Sequence, residues 1–410
     1  MKFKTYRVIK NFTSKISFVL VVLFCLAGLV SVFYYKTTPK GQTILILVSA
    51  ILFFLRLKEI INIDKLLSIS KPVFWFGLFA LIVSINLVLQ KMQGYDLIGL
   101  DGRSSYWASM EIFVLGLIWF FCGASIQFLE FSKSNLRACL LIGIVFLLIY
   151  GSLNGGVVIS YADLNAETIS ESQINHLTTG DNVVILLLIG YGFANKRLKL
   201  LVAPVILIIL FSLGGRNALL TLIVGILIYH FLRGEVTNIF SILIPVLGVV
   251  IVIGFLFELN HINDDLVARM FFLDGLGSDA SFVQRNRQIY ESVINLTAQA
   301  PIGNASLIVR QQGVFGGYSH NILSVWQFFG LVPFAILFLM MIKTTKYMWF
   351  KLKKITLPLD EFAAILLIYS VLCVFISRAI GFPCFWLAMG YWMARSVKRQ
   401  DGVNKKIIYS

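Results

Sequence analysis

Charge is scarce in this sequence: Asp, Glu, Lys and Arg supply 13% of 410 residues, against about a quarter in ordinary soluble domains. Apolar residues supply 58% and the mean hydropathy is +0.86, which excludes a soluble globular class and indicates a polytopic membrane protein. Cysteine is sparse too, and Cys25, Cys122, Cys139, Cys373 and Cys384 all lie in or beside apolar runs, with no CxxC among them. Neither a disulfide framework nor a cysteine metal site is expected. No HExxH, P-loop, GxSxG or strand-to-helix GxGxxG occurs, so metalloprotease, nucleotide-hydrolase and dehydrogenase readings have no support. Histidine is limited to His176, His230, His261 and His320.

What is present is a succession of apolar runs. About 20 apolar residues cross the hydrocarbon of a bilayer. Twelve candidate spans emerge at 16–35, 41–55, 72–89, 107–129, 138–157, 179–194, 199–213, 216–232, 239–257, 322–342, 360–377 and 381–394. The basic opening MKFKTYRVIK leads into an apolar run too long for a signal-peptide core and without a small-x-small cleavage site, so it is read as the first span. The expected fold class is all-α, a multi-pass integral membrane protein.

Charge sorting sets the orientation. With the N-terminus cytoplasmic, 25 of the 35 Lys and Arg fall on inner segments, which predicts twelve spans with both termini inside. The organisation is then 1–257 with nine spans, a long, partly helical periplasmic loop over 258–321, and 322–410 with three spans and a basic cytoplasmic tail. Insertion and anionic inner-leaflet lipid account for much of the net charge of +15, so no nucleic-acid partner is expected. Lys36, Lys40, Lys91, Arg103, Arg216, Arg269, Arg285, Arg287, Arg310 and Arg378 stay outside against this bias, which makes them the informative cations. Two outer loops are long: 151–178, with Asp163, Glu167 and Glu171, and 258–321, which ends at His320. Long ordered loops tend to carry function.

Three outward stretches contain candidate chemistry. In GSDASFVQRNRQIYESVINLTAQAP, Ser278 and Asp279 supply a cap signal for a helix closed by a proline. At 100° per residue Phe282, Ile289, Val293 and Leu296 share a stripe, with Arg285 about 60° from Phe282 at its edge and Arg287 about 140° away. Arg285 is therefore expected to reach a pocket under the helix and Arg287 to face water, although both also fit solvated charges on an amphipathic helix. In GGRNALL, Arg216 follows two glycines at a helix start, where a cation opposes the dipole. The glycine N–H groups and the guanidinium suit an anion, and a side chain reaching to the membrane interface fits as well. In FGGYSHNILSVWQFFG, His320 opens a span, where a neutral imidazole has the chemistry of a general base and equally that of an interfacial histidine bonded to a neighbour. His176 and His261 are weaker outward candidates, and His230 is expected near the inner face. Arginines and one histidine on one face, without metal-ligand spacing, suit a substrate carrying phosphate and hydroxyls.

The order GGRNALL, DASFVQR, APIGNA and GGYSHNILSVWQFFGLVPF resembles the bacterial O-antigen polymerase and O-antigen ligase superfamily of membrane glycosyltransferases. The resemblance covers about 210–340 closely and the rest only in helix count and topology. It implies glycosyl transfer from undecaprenyl diphosphate on the periplasmic face of the bacterial inner membrane, in lipopolysaccharide biosynthesis. Arg216 and Arg285 match the arginines expected to hold the donor diphosphate, and His320 matches the histidine expected to activate the acceptor hydroxyl. Tyr318, Asn321, Arg310 and Glu111 are further candidates for contacting substrate. Relatives often show Tyr-Pro-His-Asn where this chain has YSHN, and Gly-x-Gly where it has GNA. The expected partners are an undecaprenyl-diphosphate-linked oligosaccharide, membrane lipids and a chain-length regulator protein; no metal or other cofactor is expected. The series favours a repeat-unit polymerase over a ligase that passes glycan to lipid A-core. A lipid-linked oligosaccharide transporter or flippase is the rival from another class, but it should show internal repeats and mid-membrane charge, and little of either is visible.

Overall fold

The computed structural model describes residues 72–100, 102–126, 176–194, 216–235, 280–299, 301–313 and 318–408, with isolated helical positions between 18 and 25 and between 199 and 251. The described chain is helical: α1 (Pro72–Met92), α2 (Ser105–Ile126), α3 (His176–Phe193), α4 (Arg216–Arg233), α5 (Ala280–Ile294), α6 (Leu296–Gln299), α7 (Ala305–Gln312), α8 (Ser324–Phe329), α9 (Leu331–Leu352), α10 (Pro358–Ile376) and α11 (Pro383–Ile408). Among the described residues there is no strand beyond an isolated bridge between Ile98 and Ser104.

Phe74–Met92, Ser105–Ile126, Leu331–Leu352 and Pro358–Ile376 are long and apolar enough to cross a membrane, and shorter apolar helices cover Val183–Phe193 and Asn217–Arg233. Exposed Leu81, Ile85 and Val88 on α1 and Val332, Leu339 and Phe350 on α9 suit contact with acyl chains rather than water. The expected spans 16–35, 41–55, 138–157, 199–213 and 239–257 lie wholly or largely outside the described residues, as do 151–175 and 258–279 of the two long loops. Among the described residues the second loop contains α5, α6 and α7, and α11 continues as helix to Ile408 through the segment expected to be a tail.

Two compact units divide the chain. One comprises Met1–Val48, Phe128–Asp279 and Leu352–Tyr369, the other Ser49–Gln127, Ala280–Lys351 and Ser370–Ser410. In the first, the absent side chain of Gly192 lets α3 approach Pro358 and Phe362, and Gly225 of α4 faces Tyr369. The Tyr369 hydroxyl donates to the buried Asp181 carboxylate at 3.2 Å. His230 is bonded on both ring nitrogens, to the Tyr191 hydroxyl at 2.8 Å and Glu235 at 2.8 Å. Arg233 bonds Glu235, the Tyr229 hydroxyl and the Ile355 carbonyl, and Lys199 pairs with Glu361.

In the second unit, α2 packs on α11 through small residues. A Cβ at Gly123 would lie 1.9 Å from the Leu387 carbonyl oxygen, and one at Gly390 would lie 1.9 Å from the Phe120 carbonyl oxygen. Such close approach replaces the hydrophobic drive that lipid cannot supply between helices. Phe76 stacks on Phe120 at 3.5 Å, and Trp386 fills the space beside Gly116 while donating to the Ile380 carbonyl at 2.6 Å.

The expected continuous span 322–342 is broken. α8 ends at Phe329, Gly330 adopts φ 96° and ψ 177°, and α9 starts afresh at Leu331. The cause lies 29 residues upstream: the Leu331 N–H donates to the Pro301 carbonyl at 3.1 Å, so the PIGN segment docks where the helix would have continued. Gly303, at φ 79°, also approaches closely, since a Cβ there would lie 2.7 Å from the Phe328 carbonyl oxygen, so two glycines form the joint. Asn86 and Gln90, one turn apart on α1, donate to the terminal carbonyls of α8 at Phe329 and Phe328, and Gln90 also donates to Ile302. The carbonyls that a helix end leaves without a partner are thereby satisfied.

Candidate functional site

The joint presents the segment 318–323 on the second unit. Ser319 is fully buried; its N–H donates to Gln327 Oε1 at 2.9 Å and its hydroxyl to Asn321 Oδ1 at 2.7 Å. The same Asn321 oxygen accepts from the Leu323 N–H, while the Asn321 carbonyl accepts from the Ser324 hydroxyl at 2.7 Å. Asn321, a candidate substrate contact, thus has its side-chain oxygen engaged in shaping the loop.

Between these anchored neighbours His320 is half-buried, with its ring tilted against Tyr318 at 4.9 Å. Among the described residues its ring nitrogens have no hydrogen-bond partner, in contrast to His230. Burial lowers its pKa to about 4, with the charges of Arg285 and Arg378 acting in the same direction. At neutral pH the imidazole is therefore neutral and keeps one nitrogen lone pair for a proton. Tyr318 is half-buried and packs on Phe328; burial raises its pKa, and the charges of Arg103 and Arg378 oppose that rise.

α5 presents its polar side to this segment. Gln288 and Ser292 are buried and Arg285 is half-buried, and the Gln327 amide donates to the Ser292 hydroxyl at 2.8 Å. Arg285 and Ser292 are seven residues apart, about 20° in projection, so the bond that seats Ser292 also turns Arg285 inward. Arg287 is 73% exposed and pairs with Glu291, as the helical spacing predicts. Of the apolar stripe, Val293 is exposed, Ile289 and Leu296 are half-buried, and the Phe282 side chain lies outside the described residues; Gln288 and Ser292 are the fully buried residues of α5 among those described. Hydrogen bonding to Gln327 fixes the face that carries them, and periodicity alone does not say which face is covered.

Two cations that sequence reasoning had only counted as outward also lie here. Arg378 sits in the turn between α10 and α11, is 6% exposed, and lies over the Phe382 ring at 5.8 Å. Two residues on, the Ile380 N–H donates to the Ser324 hydroxyl at 3.0 Å, fastening this turn to the His320 loop. Arg103 is exposed in a loop placed by the Leu100 N–H on the Gly313 carbonyl at 2.8 Å. In the same loop Lys91 and Ser104 both bond Asp96, and the Lys91 bond first, then that of Ser104, hold its carboxyl below the usual range.

The remaining candidates are more distant in the chain. Arg216 is the first residue of α4 in the other unit, and its side chain lies outside the described residues. Arg310 is exposed in the last turn of α7, and Glu111 is exposed in the second turn of α2. His176 starts α3 with its side chain outside the described residues, and His261 lies outside them altogether. Among the described residues no three His, Cys, Asp or Glu side chains come together as metal ligands would. Gln327, Gln288 and Ser292 were missed in sequence, and Arg378 was counted only as an outward cation; the amide near the start of a span, Gln327, gave a signal that could have been read. The chain matches no protein-family model and no curated protein.

Proposed function

We propose that this chain is a surface-polysaccharide polymerase, an integral-membrane glycosyltransferase that joins undecaprenyl-diphosphate-linked repeat units on the periplasmic face of the bacterial inner membrane. The observation that carries the reading is His320: a half-buried, neutral imidazole without a protein hydrogen bond among the described residues, set in the field of two arginines. The twelve-span topology with the long loop outside, expected from charge sorting, belongs to the same proposal.

In the proposed reaction the acceptor sugar hydroxyl gives its proton to His320 as its oxygen bonds to the anomeric carbon of the donor. The bond from that carbon to the diphosphate oxygen breaks, and undecaprenyl diphosphate leaves with the electron pair. Arg285 stabilises the charge that develops on the leaving group, and this contact is worth several kcal/mol at the transition state, on the order of a hundredfold in rate. For Arg216 the same assignment rests on the resemblance alone. An incoming diphosphate also offsets the positive field on His320 and raises its basicity, so the base gains strength when donor is present.

The test is direct: purified protein in detergent, incubated with native lipid-linked repeat units, yields a ladder of products on a gel. Turnover without a sealed vesicle excludes a transporter. A deletion strain separates the enzyme classes, since loss of a polymerase leaves lipid A-core capped by a single repeat, whereas loss of a ligase leaves none attached.

A further inference from the structure

We propose that Arg378 is an additional anion-binding residue of the His320 site, sharing with Arg285 the phosphate oxygens of a polyprenyl diphosphate. The inference deepens the glycosyltransferase reading and rests on it for the identity of the anion. Its geometry is independent. The turn carrying Arg378 is held on the His320 loop by the chain of bonds from Ile380 to Ser324 and from Ser324 to the Asn321 carbonyl. Trp386 fixes the same turn from the other side by donating to the Ile380 carbonyl. Arg285 is brought to the same loop by a second route, from Ser292 through Gln327 to Ser319.

Two guanidinium groups thus bear on one imidazole, and Arg378 is nearly excluded from water. Like charges converging on a small, partly desolvated volume repel each other, and an anion bridging them relieves that repulsion. A diphosphate offers oxygens on two phosphorus atoms, which matches two guanidinium forks carried by two separate elements bonded to the same loop. The guanidinium of Arg378 lies over the Phe382 ring, whose aromatic face supports the charge and orients the plane of the group. The plain structural alternative is that Arg378, two residues beyond the end of α10, complements the negative end of that helix. That role needs a positive charge but no fork, and it is indifferent to phosphate number.

The experiment uses full-length protein in detergent and measures affinity for farnesyl diphosphate, farnesyl monophosphate and farnesol. Wild type is expected to prefer the diphosphate, and Arg378→Gln to lose roughly ten- to a hundredfold of that affinity while farnesol binding is unchanged. Arg378→Lys keeps the charge and serves if the Gln variant does not yield folded protein; it is expected to narrow the preference for diphosphate over monophosphate. Variants that retain wild-type diphosphate affinity and preference overturn the inference, as does a wild type that binds all three probes alike. The two proposals separate cleanly. A wild type that polymerises repeat units while the variants keep the diphosphate preference removes Arg378 alone. Selective loss in the variants without any polymerisation by wild type leaves the anion site and removes the enzymatic reading.

Discussion

Gly330→Ala separates the broken helix from a continuous one by the sign of its effect. If 322–342 were a single helix, replacing a mid-helix glycine with alanine would stabilise it by about 1 kcal/mol. In the structure Gly330 sits at φ 96° and ψ 177°, a region open essentially to glycine alone, and a Cβ there would lie 1.9 Å from the Pro301 carbonyl oxygen. Backbone strain of about 1–3 kcal/mol combines with overpacking of a further 1–3 kcal/mol, because the obstructing atom is backbone and has no rotamer to adopt. Displacing Pro301 also disturbs the bonds from Gln90 to Ile302 and from Asn304 to Gln327. Gly94→Ala is the control: its φ of 71° is strained for alanine, yet nothing lies within 4 Å, so only the conformational penalty applies. Thermal midpoints in one detergent at a fixed scan rate should fall in the order wild type, Gly94→Ala, Gly330→Ala, with the last several degrees lowest. A Gly330→Ala protein as stable as wild type, or more so, would refute the joint.

Four further predictions concern the site. Because His320 is held at about 4 by burial and by Arg285 and Arg378, the neutral base persists in the free protein well below pH 6.5, and the acid limb of kcat/KM should lie near 4. The same lowered value means that the stability linked to His320 is complete above about 6.5 and is lost as pH falls towards 4, which denaturant titrations across that range would detect. Gln327→Leu leaves the Ser319 N–H buried without its partner, at about 1–3 kcal/mol, while the Ser292 hydroxyl keeps its bond to the Gln288 carbonyl; the change should reduce turnover more than donor binding. Arg287→Ala removes only an exposed i,i+4 pair with Glu291, so stability should change by no more than about 0.5 kcal/mol and turnover should be unaffected.

Much of the helical framework was legible because α1, α2 and α10 are runs of about 20 apolar residues bounded by charge. The break at Gly330 was not, since a lone glycine in an apolar run is ordinary and its conformation is imposed by a carbonyl 29 positions earlier. Helical spacing separated Arg285 from Arg287 but did not foresee that Gln288 and Ser292 would be the fully buried residues of α5, with Val293 of the apolar stripe exposed. Periodicity distinguishes two faces without saying which meets protein, and at a bilayer the apolar one need not be covered. Arg378 was legible as an outward cation, but its relation to His320 was not, because it passes through Ser324, a contact between segments 56 residues apart at Ile380. His230 and His320 look alike as isolated histidines in apolar sequence; their partners distinguish them, with both nitrogens engaged in one and neither in the other among the described residues.

In the proposed reaction His320 accepts the acceptor's proton during glycosyl transfer. The most direct test compares wild type and His320→Ala, each purified and folded, in the same reaction with native lipid-linked repeat units. Wild type is expected to give a product ladder and His320→Ala to lose at least about a hundredfold in rate, with binding of the lipid-linked donor retained. Full ladder formation by His320→Ala would contradict it.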